Sequence, residues 1–195
     1  LRHQILILAA SVAGSISISA QAAPTGITYD CDTAADHYSE LVIPAPSGQF
    51  AVKGKVKLLR IEKNTTFVPM TRLVIGAPAA SPGASSSTSA GFSLTGLPAK
   101  TAGIKSADKN AVIQFVQLEN TRESKQTKTP PNKAEVMTEV PFLLIYDGTS
   151  ITTKVSDQSA TTSVQLDNAA VQISCSTGEF LFTDLVIEGI PDKSG

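Results

Sequence analysis

The chain has two histidines, His3 and His37, and two cysteines, Cys31 and Cys175, so nucleophilic chemistry has few parts to draw on. A Ser-His-Asp or Cys-His site needs an imidazole to take the nucleophile's proton, and His37 is the one candidate outside the N-terminal stretch. Its setting, Asp36-His37-Tyr38, points instead to a solvated or hydrogen-bonded loop residue. Gly91-Phe92-Ser93-Leu94-Thr95-Gly96 misses the G-x-S-x-G elbow by one position and reads as a strand, because no strand-to-helix pattern follows it. The histidine count also excludes a histidine-rich metal cage. Hydrolysis between two carboxyl groups needs them about 5 to 9.5 Å apart. Glu135 and Glu139 come closest, yet on a strand they would share a face about 13 Å apart. On a helical turn they would be an ordinary exposed i, i+4 pair. A non-catalytic protein is expected.

The cysteines carry information about compartment. Residues 1–22 read as a secretory signal peptide: Arg2 and His3 form the basic start, Ile5 to Ile18 an apolar stretch, and Ala20-Gln21-Ala22 the cleavage site. Ser11, Ser15 and Ser17 and the shortness of the run argue against a membrane anchor, so no membrane span is expected after signal removal. The protein is therefore expected to be secreted, extracellular or periplasmic. There Cys31 and Cys175 would pair in a disulfide, which places the first strand beside one of the last two. Sixteen basic against 17 acidic groups leave no basic excess, and nucleic acid is not an expected partner.

The elements that must position these residues are strands. Serine and threonine make up about a fifth of the chain, and no stretch of twelve residues holds a helical period. In 49–61, Phe50, Val52, Val56 and Leu58 alternate with Lys53, Lys55 and Lys57, giving a half-buried strand with a wet basic face. Segment 66–75 reads as a second strand, with Pro69 suggesting an edge or a bulge. Further strands are expected at 91–96, 111–119, 140–155, 162–175 and 178–188, and one helical turn at 134–139. Asp147-Gly148 is a hairpin dipeptide between apolar runs, and Ser176-Thr177-Gly178 a second turn. Residues 23–195 thus form one all-β antiparallel sandwich of eight to ten strands, with flexible polar loops at 78–91 and 120–133. Phe50, Phe67, Phe115, Phe142, Phe180 and Phe182 are assigned to its core.

Two C-terminal segments sharpen the fold. PFLLIYDGTSITTKV at 141–155 resembles the hairpin of concanavalin-like jelly rolls, and GEFLFTDLVIE at 178–188 resembles their closing strand and that of jelly-roll carbohydrate-binding modules. The resemblance covers the C-terminal quarter. It implies a carbohydrate-binding-like module of the cell exterior, although the sugar-stacking tryptophan of such modules is absent. Concanavalin-like hydrolases carry an E-x-D-x-E or similar strand, and none occurs here. The resemblance also implies a structural calcium ion, for which Asp30, Asp32 and Asp36 are the candidate ligands; no other cofactor is expected. If 171–175 and 180–187 pair as a hairpin, Asp184 lies too far from Cys175 to share that ion.

Tyr38, Tyr146 and Asp147 are the candidate ligand-binding residues, because they lie near polar or turn positions where a sugar ring could stack. The expected partner is a glycan or an extracellular protein surface. The alternative is a structural or self-assembling cell-exterior protein whose strand edges mediate self-association.

Overall fold

The computed structural model describes residues 26–62, 66–78, 88–98, 111–120, 125–127, 132–135 and 137–191. Residues 1–22, read as a signal peptide, lie outside the described residues. Thirteen strands are described, against the eight to ten expected. They are β1 (Ile27–Asp32), β2 (Tyr38–Pro44), β3 (Phe50–Ile61), β4 (Met70–Gly76), β5 (Ser89–Pro98), β6 (Ala111–Asn120) and β7 (Lys125–Thr127). β8 (Asn132–Glu135), β9 (Val140–Tyr146), β10 (Ser150–Val155), β11 (Gln158–Ser163), β12 (Ala170–Ser176) and β13 (Gly178–Gly189) complete the set. They form two antiparallel sheets, one of six strands in the order β1-β13-β3-β9-β10-β11 and one of seven in the order β2-β12-β4-β5-β6-β7, with β8 also paired to β6. Among the described residues there is no helix.

The alternation along β3 sets the first layer. Phe50, Val52, Val56 and Leu58 are buried, and so are Phe142 and Leu144 of β9 and Phe180 and Phe182 of β13 beside them. The second layer supplies Leu73 and Ile75 of β4, Phe92 and Leu94 of β5, and Val171 and Ile173 of β12. Phe92 meets Phe142 across the interior with ring centroids 5.4 Å apart, and Phe142 meets Phe182 edge-on at 6.2 Å. Fully burying such side chains stabilises by about 1.5 to 3 kcal/mol each, which is why the inward positions of a two-layer sandwich tolerate little else.

Several expectations change. β4 starts at Met70 and lies between β12 and β5, so it is an interior strand and Pro69 precedes it. Proline has no N–H for the ladder, and hydrogen bonding begins just beyond it. Phe67 consequently falls before the strand and is exposed, not in the core. β12 and β13 do not form a hairpin: the chain passes between the sheets at Thr177, whose φ is 59°, so each strand joins a different layer. Segment 134–139 closes β8 at Glu135 and then turns at Met137 with φ 71°, in place of the helical turn. Of the stretches expected as loops, Ser89, Ala90 and Gly91 belong to β5, and Asn120, Lys125–Thr127, Asn132 and Lys133 belong to β6, β7 and β8. The rest of 78–91 and 120–133, apart from Pro78 and Thr88, lies outside the described residues.

The expected disulfide is present. Cys31 of β1 and Cys175 of β12 are bonded with Cα atoms 6.3 Å apart, and because these strands belong to opposite sheets the bond crosses the sandwich. β1 pairs with β13, as the cysteine argument required.

Candidate functional site

The two outward faces of the sandwich differ in chemistry. On the six-stranded sheet, Lys53, Lys55 and Lys57 of β3 point outward and are paired. Lys53 Nζ lies 2.7 Å from Glu188, Lys55 3.3 Å from Asp184 and 3.7 Å from Glu139, and Lys57 3.9 Å from Glu139. Arg60 contacts Asp32, Glu62 and, at 3.2 Å, Glu179. Leu59 is an extra residue of β3 opposite the Glu179–Phe180 step, and this bulge brings Arg60 to this face, where Asp32, Glu179 and Arg60 are aligned across β1, β13 and β3. Partial desolvation, then the charges of Glu179 and Asp32, hold the Asp30 carboxyl above its ordinary range, with Arg60 opposing them. The charges of β3 on this face are paired with carboxylates of the strands and turns around it.

The seven-stranded sheet presents a different surface. Antiparallel register aligns Tyr38, Ser176, Met70 and Thr95 in one row across β2, β12, β4 and β5. The next row is Glu40, Ser174, Arg72 and Ser93, and the next Val42, Gln172, Val74 and Gly91. Tyr38 is 56% exposed, with the Ser174 hydroxyl and the Glu40 carboxylate near its own hydroxyl. Partial burial and then the Glu40 charge push its pKa up, against the Ser174 hydrogen bond and the pull of Arg72. Tyr38 is therefore a neutral phenol at physiological pH, able to donate and to accept. Arg72 is exposed, and none of the ion pairs among the described side chains includes its guanidinium. A phenol, a carboxylate, a guanidinium and the Ser174 hydroxyl thus share one outward face, on which Ser93 and Gln172 are buried.

No protein-family model and no curated protein matches the chain. Solved structures do. The PL7 alginate lyase AlyA1 from Zobellia galactanivorans matches with a TM-score of 0.52 at 10% identity, covering 84% of this chain and 77% of that one. An alginate lyase from Alteromonas sp.272 matches with a TM-score of 0.51 at 5% identity, covering 74% and 72%. The chain has a concanavalin-like jelly-roll fold. The likeness spans most of the jelly roll, not the C-terminal quarter that carried the sequence resemblance.

The jelly roll separates the residues singled out from sequence. Tyr38 stands on the open face. Tyr146 does not: it is buried, tilted against Phe50 at 5.6 Å, with its hydroxyl within 3.0 and 3.3 Å of the Gly148 and Leu166 carbonyls and accepting the Leu166 N–H. The ring borders a cleft of about 630 Å³ formed with Pro44, Pro46, Pro78 and Asp167, but its polar atom is spent on the fold. Asp147 is spent likewise. Its Oδ1 accepts from the Thr149 N–H, the Thr149 hydroxyl and the Ser150 N–H, and its Oδ2 accepts from the Ser150 hydroxyl, which makes it the cap of the β9–β10 turn.

Asp30, Asp32 and Asp36 do not gather as one ligand set. Asp32 faces Arg60, whereas Asp36 Oδ1 accepts the backbone N–H groups of Thr66 and Phe67 at 2.9 Å each. Among the described residues no group of three or more His, Cys, Asp or Glu side chains is arranged to hold a metal. Asp184 lies against Lys55. His37 is exposed, with Nδ1 2.7 Å from the Ala35 carbonyl. Glu40, Arg72 and Ser174 were not marked by any motif; the signal available was that each takes an outward position on a strand whose alternate residues are apolar.

Proposed function

We propose that this jelly roll is a non-catalytic glycan-binding module whose ligand lies on the outer face of the seven-stranded sheet, over Tyr38, Glu40, Arg72 and Ser174. The observation that carries the reading is the contrast between the two faces. The cations of β3 are paired with carboxylates, while Arg72 shares a face with an exposed tyrosine, β12 lying between them, and none of the ion pairs of the described side chains includes it. Tyr38 offers a ring for the C–H face of a pyranose. Glu40 accepts from sugar hydroxyls, and Arg72 donates to hydroxyls or to a uronate carboxylate. The alginate lyases sharing the fold act on a polymer of that kind, which makes alginate the first ligand to try. The disulfide fits a protein working outside a reducing cytosol.

Alginate and neutral β-glucan oligosaccharides titrated calorimetrically into the full chain test this. Binding weakened at least tenfold by Tyr38→Ala and by Arg72→Ala, with unchanged thermal unfolding and no release of reducing ends, is the expected result. Absence of binding to either glycan by the parent chain would overturn the module. Release of reducing ends that Tyr38→Phe abolishes would make the protein an enzyme, and concentration-dependent oligomers without glycan binding would favour an assembly role.

A further inference from the structure

The turn entering β4 exposes two large apolar side chains, Phe67 at 60% and Val68 at 48%, whereas Phe50, Phe92, Phe142, Phe180 and Phe182 are buried. We propose that Phe67 is an aromatic platform continuing the glycan site beyond Tyr38, where it stacks on the C–H face of a further pyranose ring. This rests on the glycan-binding reading above.

The backbone that carries the ring is held from several sides. Asp36 Oδ1 accepts two consecutive backbone N–H groups, those of Thr66 and Phe67, so one carboxylate holds the backbone from which the ring projects. Asp36 stands two residues before Tyr38, and this ties the Phe67 turn to the start of β2. Beyond the turn, Pro69 is buried and its carbonyl accepts the Gly96 N–H at 2.8 Å. Met70 then enters β4 in the same row as Tyr38, with Ser176 between them. The segment leading to Tyr38 is anchored as well. The Thr33 hydroxyl donates to the Gly178 carbonyl at 2.9 Å and accepts the Gly178 N–H at 3.1 Å, and the Cys31–Cys175 bond closes the same end of the sandwich.

A backbone held this way needs little further ordering when a ligand covers the ring, which lowers the cost of binding there. A pyranose presents an apolar C–H face to such a ring, and the contact requires no indole. It therefore answers the absence of tryptophan from the sequence. A sugar ring over Tyr38 and the next over Phe67 would run from the sheet face onto the turn.

The experiment uses the full chain with alginate and neutral β-glucan oligosaccharides. Phe67→Ala should weaken binding of whichever glycan the parent chain binds by about three- to tenfold, while Phe67→Leu, which keeps apolar bulk without the aromatic ring, should unfold at the parent's temperature and still bind more weakly. Asp36→Asn should weaken it less. Phe67→Trp should preserve affinity, and as the sole tryptophan its fluorescence should shift when the oligosaccharide is added. If Tyr38→Ala and Arg72→Ala abolish binding while Phe67→Ala stays within twofold and the Phe67→Trp emission does not move, Phe67 is no platform and the glycan reading stands. If the parent chain binds neither glycan, both fall.

Discussion

Cys31 and Cys175, 144 residues apart in sequence, join the two sheets of the sandwich at one end, Cys31 from β1 and Cys175 from β12. Closing so long a loop restricts the unfolded chain more than the folded one, by up to about 4 to 5 kcal/mol in the chain-entropy account and commonly less in practice. Replacing both cysteines with alanine is expected to lower the unfolding free energy by about 2 to 4 kcal/mol while leaving β1 paired to β13. Urea unfolding of the two proteins measures the difference, and equal midpoints would show that the bond constrains nothing.

Asp147 gives the acid dependence a local origin. Hydrogen bonds from the Ser150 hydroxyl first and the Thr149 N–H next hold its carboxyl at about 2, below the usual 3.8. A depressed folded-state pKa contributes stability that is full above about pH 4 and is lost as the pH falls through about 2. Asp147→Asn is expected to cost under about 1 kcal/mol at pH 6, since solvent screens this exposed turn, and the gap from the parent should close between pH 4 and pH 2. Unfolding midpoints at four pH values decide it; a gap that does not change with pH would assign the effect to something other than the carboxylate charge.

Arg60 gathers Glu179 from β13, beside β3, and Asp32 from β1, one strand further on, together with Glu62. Its guanidinium is exposed enough for salt to screen it. Arg60→Ala is expected to destabilise by about 1 kcal/mol at low ionic strength and by less in 1 M NaCl. A loss that persists in high salt would indicate that packing of the side-chain stem, not charge, is what Arg60 contributes.

Two glycines should respond differently to the same substitution. A Cβ on Gly91 would stand 2.1 Å from the Leu73 carbonyl oxygen and 2.7 Å from the Val74 Cα, both backbone atoms of the neighbouring strand, so Gly91→Ala must push β5 from β4. Gly48 has open space but a φ of 78°, so Gly48→Ala meets backbone strain alone. Thermal unfolding should show a loss of more than about 2 kcal/mol for the first and about 1 kcal/mol for the second. Comparable losses would mean that the strand contact relaxes freely.

Local pattern determined the inward and outward faces of β3, the hairpin at Asp147-Gly148 and the all-β class, because alternation and turn chemistry act between residues near in sequence. The count of two cysteines, with the expectation of export, also made the Cys31–Cys175 pair legible. Which strands share a sheet was another matter. β12 and β13 are adjacent in sequence and look like a hairpin, yet they lie in opposite layers, since the turn at Thr177 sends each to a different set of distant partners. The same dependence on distant contacts decided the candidate site. Tyr146 looked available because it borders a turn, and it is buried because Phe50 and Leu166 close over it from elsewhere in the chain. Phe67 looked like core and is exposed because its strand begins only after Pro69. Tyr38, Glu40, Arg72 and Ser174 lie on three strands separated by up to 136 residues between Tyr38 and Ser174, and only the pairing of β2 and β4 to β12 brings them onto one face.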